Sequence, residues 1–403
     1  MPAKARRLFT PVLIALLIVA GCAAQDPGSS DRRVVKIGFI GPLTGPQRDF
    51  GLGARNSVAL AVRQANQRRA IPGWTIELVP IDDLAEPAMG KIAARQFAAD
   101  PQVAGVIGPM NSGVAKETVP VLGERDIVQI SPSNTDPTLT LGPYPIDAPR
   151  RVWRNYFRIV ASSLGQGRFA ANYAYDRLRL RSAATVHDKK GYGQSLVTVF
   201  ERRWRQRGGR VTSSNAIDAG DRQFSRLAAR LAAQDPDIVF YGGEYPEAGW
   251  LLTQLKQRGF DGTMIGGDGL YSDEMIKRAG RAGEGTMAAS VGAPAGKLPS
   301  AAGFIQAYAE GGFAPQDFSA FGPQAYDSAN ILIAALARVL PESDGVAATR
   351  RDVVRAVDLT RSFKGATGEH AFDQFGDTRN TMLTMYRIRR GAWRDVFTGQ
   401  AME

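Results

Sequence analysis

Cysteine is all but missing from this sequence. Cys22 stands alone in 403 residues, so no disulfide can form within the chain. Histidine is nearly as scarce: His187 and His370 are the two present, too few for a histidine-built metal site, and neither lies in a recognisable triad context. A complete G-x-G-x-x-G opening a helix just after a strand is lacking, since Gly51-Leu52-Gly53 is only a fragment and stands too far along. Ser112 is not within G-x-S-x-G, and Asp82-Asp83, Asp373 and Asp377 are not set in an oxygen-ligand loop of EF-hand type. These absences argue against dinucleotide binding, serine hydrolysis and a calcium site, so no metal and no cofactor is expected. Acids are outnumbered by bases, 39 to 50, for a net charge of +11 and a pI near 9.9. The rest is ordinary for a globular protein: apolar residues are 44% and charged residues 22%, and the length suits about two or three domains.

At the amino terminus, Lys4, Arg6 and Arg7 precede an apolar run from Leu8 to Ala20, broken by Thr10 and Pro11 and ending at Val19-Ala20-Gly21-Cys22. The run is shorter than the roughly 20 residues a membrane-spanning helix needs, and small residues sit where a signal peptidase cleaves. Residues 1–21 are therefore expected to be an export signal. The closing four residues resemble the lipobox of bacterial lipoproteins, which implies that the Cys22 thiol is acylated and becomes residue one. Residues 22–33 have no apolar periodicity and read as a flexible tether. Cleavage would remove three positive charges and leave +8. The mature protein is then expected outside the cell's cytoplasmic membrane, lipid-anchored on its outer face at the cell surface or on the periplasmic side.

From Val34 short apolar runs alternate with amphipathic stretches. VVKIGFI, WTIELVPI, VAGVIGP and IVQISP read as strands, with helices between them over Gly53–Gln67, through Ile92, Ala93 and Phe97, and through Val114, Val119 and Leu122. The pattern restarts after Arg158, with a helix near Gln166–Arg177, the strand SAATVHD, a helix carrying Leu196, Val199, Phe200 and Trp204, then PDIVFYGG, a helix through Trp250, Leu251 and Leu255, and TMIGGDG. Three more helices are expected over Phe304–Glu310, Tyr326–Leu340 and Arg351–Val357. The final pair, HAFDQFGDTRN and TMLTMYRI, reads as strand, turn at Gly376-Asp377, and strand. Repeated strand and helix units mean an α/β fold of two doubly wound parallel-sheet lobes.

In such sheets ligands sit beyond the carboxyl ends of the strands. The loops there are GPLTGPQRDFG, GPMNSG, SPSNTDP, HDKKGYG and YGGEYPE. Glycine lets backbone amides approach a ligand or a helix start, and Ser, Thr and Asn supply neutral donors, a set suited to a carboxylate at helix amino termini. Taken singly, Ser112 and Thr135 could equally be helix caps or turn residues, and His187 could simply end its strand.

The ordered set IGFIGPLTGP, GPMNSG, ISPSNTDP, HDKKGYG, FYGGEYPEAG and GGDG resembles the leucine/isoleucine/valine-binding family of solute receptors that serve ABC transporters, over about Val34 to Arg390. The resemblance implies a type I periplasmic-binding-protein fold whose lobes are joined by three hinge crossings, with lobe 1 over 34–158 plus 293–372 and lobe 2 over 159–292 plus 373–403. It implies a monomer, without enzymatic activity, that captures a branched-chain or similar neutral amino acid and delivers it to ABC permease subunits. Ser112 and Thr135, with backbone around Ser133 and Asn134, would hold the α-carboxylate. Asp268 would take the α-ammonium, Tyr192 would cover the ligand, and Phe50 would line its side-chain pocket. A ligand-sensing subunit of a signalling receptor, or a different small ligand such as an amide or a polar amino acid, remains open at this point.

The sequence departs from the family in the DDLAEP segment and Asn111, which lack the cysteines some relatives pair, in a longer loop GPYPIDAPRRVWR, and above all at Glu244, where tyrosine is usual. A second acid beside Asp268 is costly unless it points to solvent, meets another cation, or meets a further ligand donor; solvent is the expected answer, with Glu244 tuning the ligand range. Nucleic acid is not expected despite the charge. Arg202, Arg203, Arg205, Arg207 and Arg210 surround Trp204, but on a helix the tryptophan joins the apolar stripe while the bases point to water.

Overall fold

The protein is described here by a computed structural model covering residues 33–314 and 318–401. The expected export signal, Cys22 and nearly all of the tether lie outside these residues. Arg33, the tether's last residue in the sequence reading, already belongs to a strand.

Five strands build the first sheet: β1 (Arg33–Gly41), β2 (Trp74–Asp82), β3 (Val103–Ile107), β4 (Val128–Ser131) and β5 (Tyr156–Arg158), in the order β2-β1-β3-β4-β5. Every pairing is parallel. Val35, Ile37, Phe39 and Ile40 of β1 are fully buried, because helices cover both faces, and that is why the strand reads as a continuous apolar run. The helix after β1 runs over Arg48–Gln67 and so begins before the expected Gly53. Asp49 in its first turn suits the positive end of the helix dipole.

The second sheet holds β6 (Ser182–His187), β7 (Arg210–Ala216), β8 (Ile238–Gly242), β9 (Thr263–Gly267) and β10 (Met287–Val291). A small pair, β11 (Phe363–Gly365) and β12 (Gly368–His370), stands apart. The hairpin of β13 (Met382–Arg389) and β14 (Ala392–Gln400) then completes a mixed sheet ordered β14-β13-β10-β9-β8-β6-β7. Strands β6 to β10 are parallel, and β13 runs antiparallel to β10.

The last hairpin is not where the sequence reading puts it. Its turn is Arg390-Gly391, both with positive φ (54° and 68°), as a two-residue turn matched to strand twist requires. His370–Asn380 is instead mainly a connection between the sheets, in which buried Phe372 packs on Phe157 with ring centroids 4.9 Å apart. Strands β5, β7, β10, β11 and β14 escape sequence reading. β5 is only three residues long, while β7 and β14 are sheet-edge strands whose polar residues hide the pattern.

The chain passes between the sheets after β5, after β10 and after β12. The second passage brings helices Gly322–Val339 and Val346–Asp358 back onto the first sheet. Trp204 is fully buried and stacks on Phe200, whereas Arg205 turns outward to Glu201 at 2.9 Å, the division expected of that helix. His187 ends β6 and accepts the Lys189 backbone N–H on Nδ1. Among the described residues no helix is long and apolar enough to cross a membrane.

Candidate ligand-binding site

Strand order reverses between β1 and β3 in the first sheet and between β6 and β8 in the second, the positions where doubly wound sheets open a crevice beyond their carboxyl ends. Loops from both crevices meet around a small cavity of about 30 Å³. Phe50, Met110, Asn111, Ser112 and Ser133 line it from the first lobe, Tyr192, Glu244, Asp268 and Gly269 from the second, and Phe321 from the chain's return.

Asp268 follows β9 in a single tight turn and is buried, and its Oδ1 has no hydrogen-bond partner. Burial pushes its carboxyl up to about 6, with the Tyr192 hydroxyl bond working the other way. Tyr192 accepts the Gly269 N–H at 3.0 Å, and burial together with the neighbouring Asp268 charge raises its phenol further, so it stays a donor. Gly269 must lack a side chain, because a Cβ would stand 2.5 Å from the Gly243 carbonyl oxygen. A lone carboxylate oxygen in a dry cavity is a receptor for a cationic or strongly donating group.

Glu244 does not point to solvent. It sits at the entry of helix Tyr245–Gln257, 4% exposed, with Oε1 accepting the Asn111 amide at 3.0 Å and Oε2 3.6 Å from Lys190 Nζ. Burial alone would raise its pKa, but Lys190, Asp188 and Asn111 outweigh that and hold the carboxyl below its usual range. Asp188 moves the opposite way, pushed up to about 9 by burial and the neighbouring Glu244 charge. The cation that the sequence reading left as a lesser option is thus Lys190, from HDKKGYG.

Among the residues expected to hold a carboxylate, the structure separates those the sequence reading grouped. Ser112 lies in the first turn of helix Ser112–Gly123, and its Oγ accepts the Asp136 N–H at 3.3 Å, leaving the hydroxyl proton free. Ser133 lines the cavity with its hydroxyl turned to the Met110 carbonyl at 2.8 Å. Asn134 and Thr135 are buried but do not line the cavity. The Asn134 amide donates to the Pro109 and Met110 carbonyls and accepts from Tyr156, and Ser131 Oγ takes the Ser133 and Asn134 N–H groups. Thr135 Oγ1 accepts from Ser163 at 3.0 Å, tying this loop to the next lobe. Helix start and Ser112 hydroxyl are the donors left to a ligand.

Phe50 meets Tyr245 and Phe321 edge to face at 5.3 and 5.2 Å, an apolar wall contributed by three separate segments. Residues 34–392 match the family described as periplasmic binding protein. The chain belongs to that family. This binding protein is 30% identical to Leu/Ile/Val-binding protein homolog 1 of Brucella melitensis biotype 1, over 96% of this chain and 97% of that one. It is 27% identical to the leucine-, isoleucine-, valine-, threonine-, and alanine-binding protein of Pseudomonas aeruginosa, over 95% and 96% of the two chains. Among solved structures, the leucine binding protein LivK of Thermotoga maritima superposes with a TM-score of 0.80 at 25% identity, covering 90% of this chain and 98% of that one.

Several residues of the binding protein's site lie beyond sequence reasoning. Met110 and Phe321 line the cavity, Gln47 accepts from Asn111 at 2.8 Å, and Asp49 accepts from Tyr245 and Ser272 of the opposite lobe. Asp188 and Lys190 were within a segment already singled out, but nothing in that segment shows that Glu244 is their partner.

Proposed function

We propose that this protein is the extracytoplasmic solute receptor of an ABC importer, capturing a branched-chain or similar neutral amino acid without chemical conversion. The observation that carries the reading is the partnerless Asp268 Oδ1 in a cavity that also offers the Ser112 hydroxyl and a helix amino terminus. A zwitterion needs one carboxylate for its ammonium and neutral donors for its carboxylate, and that is the set present. In this reading Asp268 takes the ammonium with Tyr192 beside it, Ser112 and the helix start take the carboxylate, Ser133 reaches it by turning its hydroxyl, and Phe50 bounds the side chain.

The same reading carries an acylated Cys22, a cleaved signal over 1–21, and a monomer that meets permease subunits. Lobes of 34–158 plus 293–372 and 159–292 plus 373–403 would hinge at the three passages, with Asp49 joining them when shut. A thermal-shift screen against neutral amino acids tests it: a ligand at a hundred times its Kd adds about 2.7 kcal/mol. No stabilisation by any of them would sink the reading.

Binding should also depend on pH with a definite sign. The Asp268 carboxyl titrates at about 6 in the empty protein, and only its ionised form pairs with an ammonium. Affinity should therefore fall about tenfold between pH 7 and 5 by calorimetry. The folding contribution has the opposite sign: a carboxyl raised above its unfolded value favours the fold most at low pH, and that contribution is lost as pH rises through about 6. An affinity flat from pH 7 to 5 would remove Asp268 from the ammonium site.

A further inference from the structure

The residues lining the cavity offer two buried acceptors besides Asp268 Oδ1: Glu244 Oε2, which faces the Lys190 ammonium at 3.6 Å without a hydrogen bond, and Asn111 Oδ1, which faces no cation. Asn111 is 8% exposed and lines the cavity, and its Oδ1 has no hydrogen-bond partner. Its orientation is forced. The amide nitrogen donates to Glu244 Oε1 and Gln47 Oε1, and an ionised carboxylate can only accept, so a flipped amide would set oxygen against oxygen. Lys190 balances the Glu244 charge, so this corner offers a neutral carbonyl acceptor beside an already neutralised carboxylate.

An aliphatic side chain placed there would strand that acceptor away from water. Phe50, Met110 and Phe321 supply apolar lining to the same cavity. The lining therefore combines apolar surface with an acceptor that lacks a donor.

We infer that the preferred ligand carries a neutral hydrogen-bond donor on its side chain, a hydroxyl or carboxamide, accepted by Asn111 Oδ1, with Glu244 as the positioning residue that holds the amide in that orientation. This rests on the amino-acid receptor reading and narrows it from neutral amino acids in general to polar ones. Sites built to bond a ligand hydroxyl discriminate strongly against the analogue that lacks it.

Calorimetry of the mature full chain with near-isosteric pairs tests the inference. Threonine should bind at least about tenfold tighter than valine, and asparagine tighter than leucine. Asn111→Leu should bring the threonine-to-valine ratio close to one. Glu244→Gln, which lets both amides turn, should lower the ratio as well, and it tests the same point should Asn111→Leu fail to fold. Valine binding as tightly as threonine would overturn the inference while leaving the receptor reading standing. So would an Asn111→Leu loss equal for both ligands, because the oxygen would then be serving the shared ammonium. Binding of no amino acid at all would overturn both.

Discussion

Asp268→Ala is expected to weaken amino-acid binding by between about tenfold and a hundredfold, the span that loss of a charged hydrogen bond of about 1.5–3 kcal/mol covers. The carboxylate is 2% exposed and its Oδ1 has no hydrogen-bond partner in the protein. An ammonium losing it would stay desolvated against Tyr192 and Gly269, and Glu244, the other acid lining the cavity, already has its charge countered by Lys190 and one oxygen bonded to Asn111. Asp268→Asn should be at least as damaging, because an amide can present N–H to an ammonium where an acceptor is needed. Calorimetry with the best ligand decides it; undiminished affinity in both variants would show that the ammonium sits elsewhere.

The largest loss of stability is expected from Asp377→Ala. Arg158 at the end of β5 is fully buried and donates from Nε to Asp377 at 2.5 Å, while its other nitrogens reach the Asn134 and Asp136 carbonyls at 3.3 and 2.8 Å and the Thr140 hydroxyl. One guanidinium thus binds the first and third passages between the sheets to the back of the SPSNTDP loop. Removing its only carboxylate partner among the described ion pairs leaves a buried, uncompensated charge, for which about 3–5 kcal/mol is typical. Denaturant unfolding should show the midpoint falling with little change of slope. Replacing both residues with apolar ones, Arg158→Met with Asp377→Leu, should cost less than the single change, since no charge is then stranded. A loss below about 1 kcal/mol for Asp377→Ala would mean that Arg158 finds water on this side.

Much of the fold is legible because each strand that feeds the site is a short apolar run followed by a loop rich in glycine and small polar residues. That grammar locates GPMNSG, SPSNTDP, HDKKGYG and GGDG correctly at strand ends. It does not separate residues within a loop. SPSNTDP contains Ser133, which lines the cavity, and Asn134, whose amide is wholly engaged with the Pro109 and Met110 carbonyls and Tyr156. Alternation of side-chain direction and the hydroxyl of Ser131 make that difference, and neither is a motif. The HAFDQFGDTRN segment misleads for a related reason: its Gly-Asp turn is real, but Phe372 is buried against Phe157 of the first sheet and not in a terminal hairpin.

The sequence by itself determined the class of the fold and placed its glycine-rich loops at the strand ends, because periodicity and turn chemistry act between near neighbours, while the acid expected in the cleft came from the family resemblance. Tertiary structure alone decided what surrounds each acid. Asn111 and Glu244 are 133 residues apart, and Lys190 and Asp188 reach Glu244 from yet another strand end. Burial, the missing partner of Asp268 Oδ1 and the opposite shifts of Asp188 and Glu244 follow from those distant approaches, since a carboxylate's state is set by what surrounds it in space and not along the chain. The scarcity of cysteine and histidine limits the chemistry the chain can carry, and the contacts between its two lobes decide which solute the remaining groups can hold.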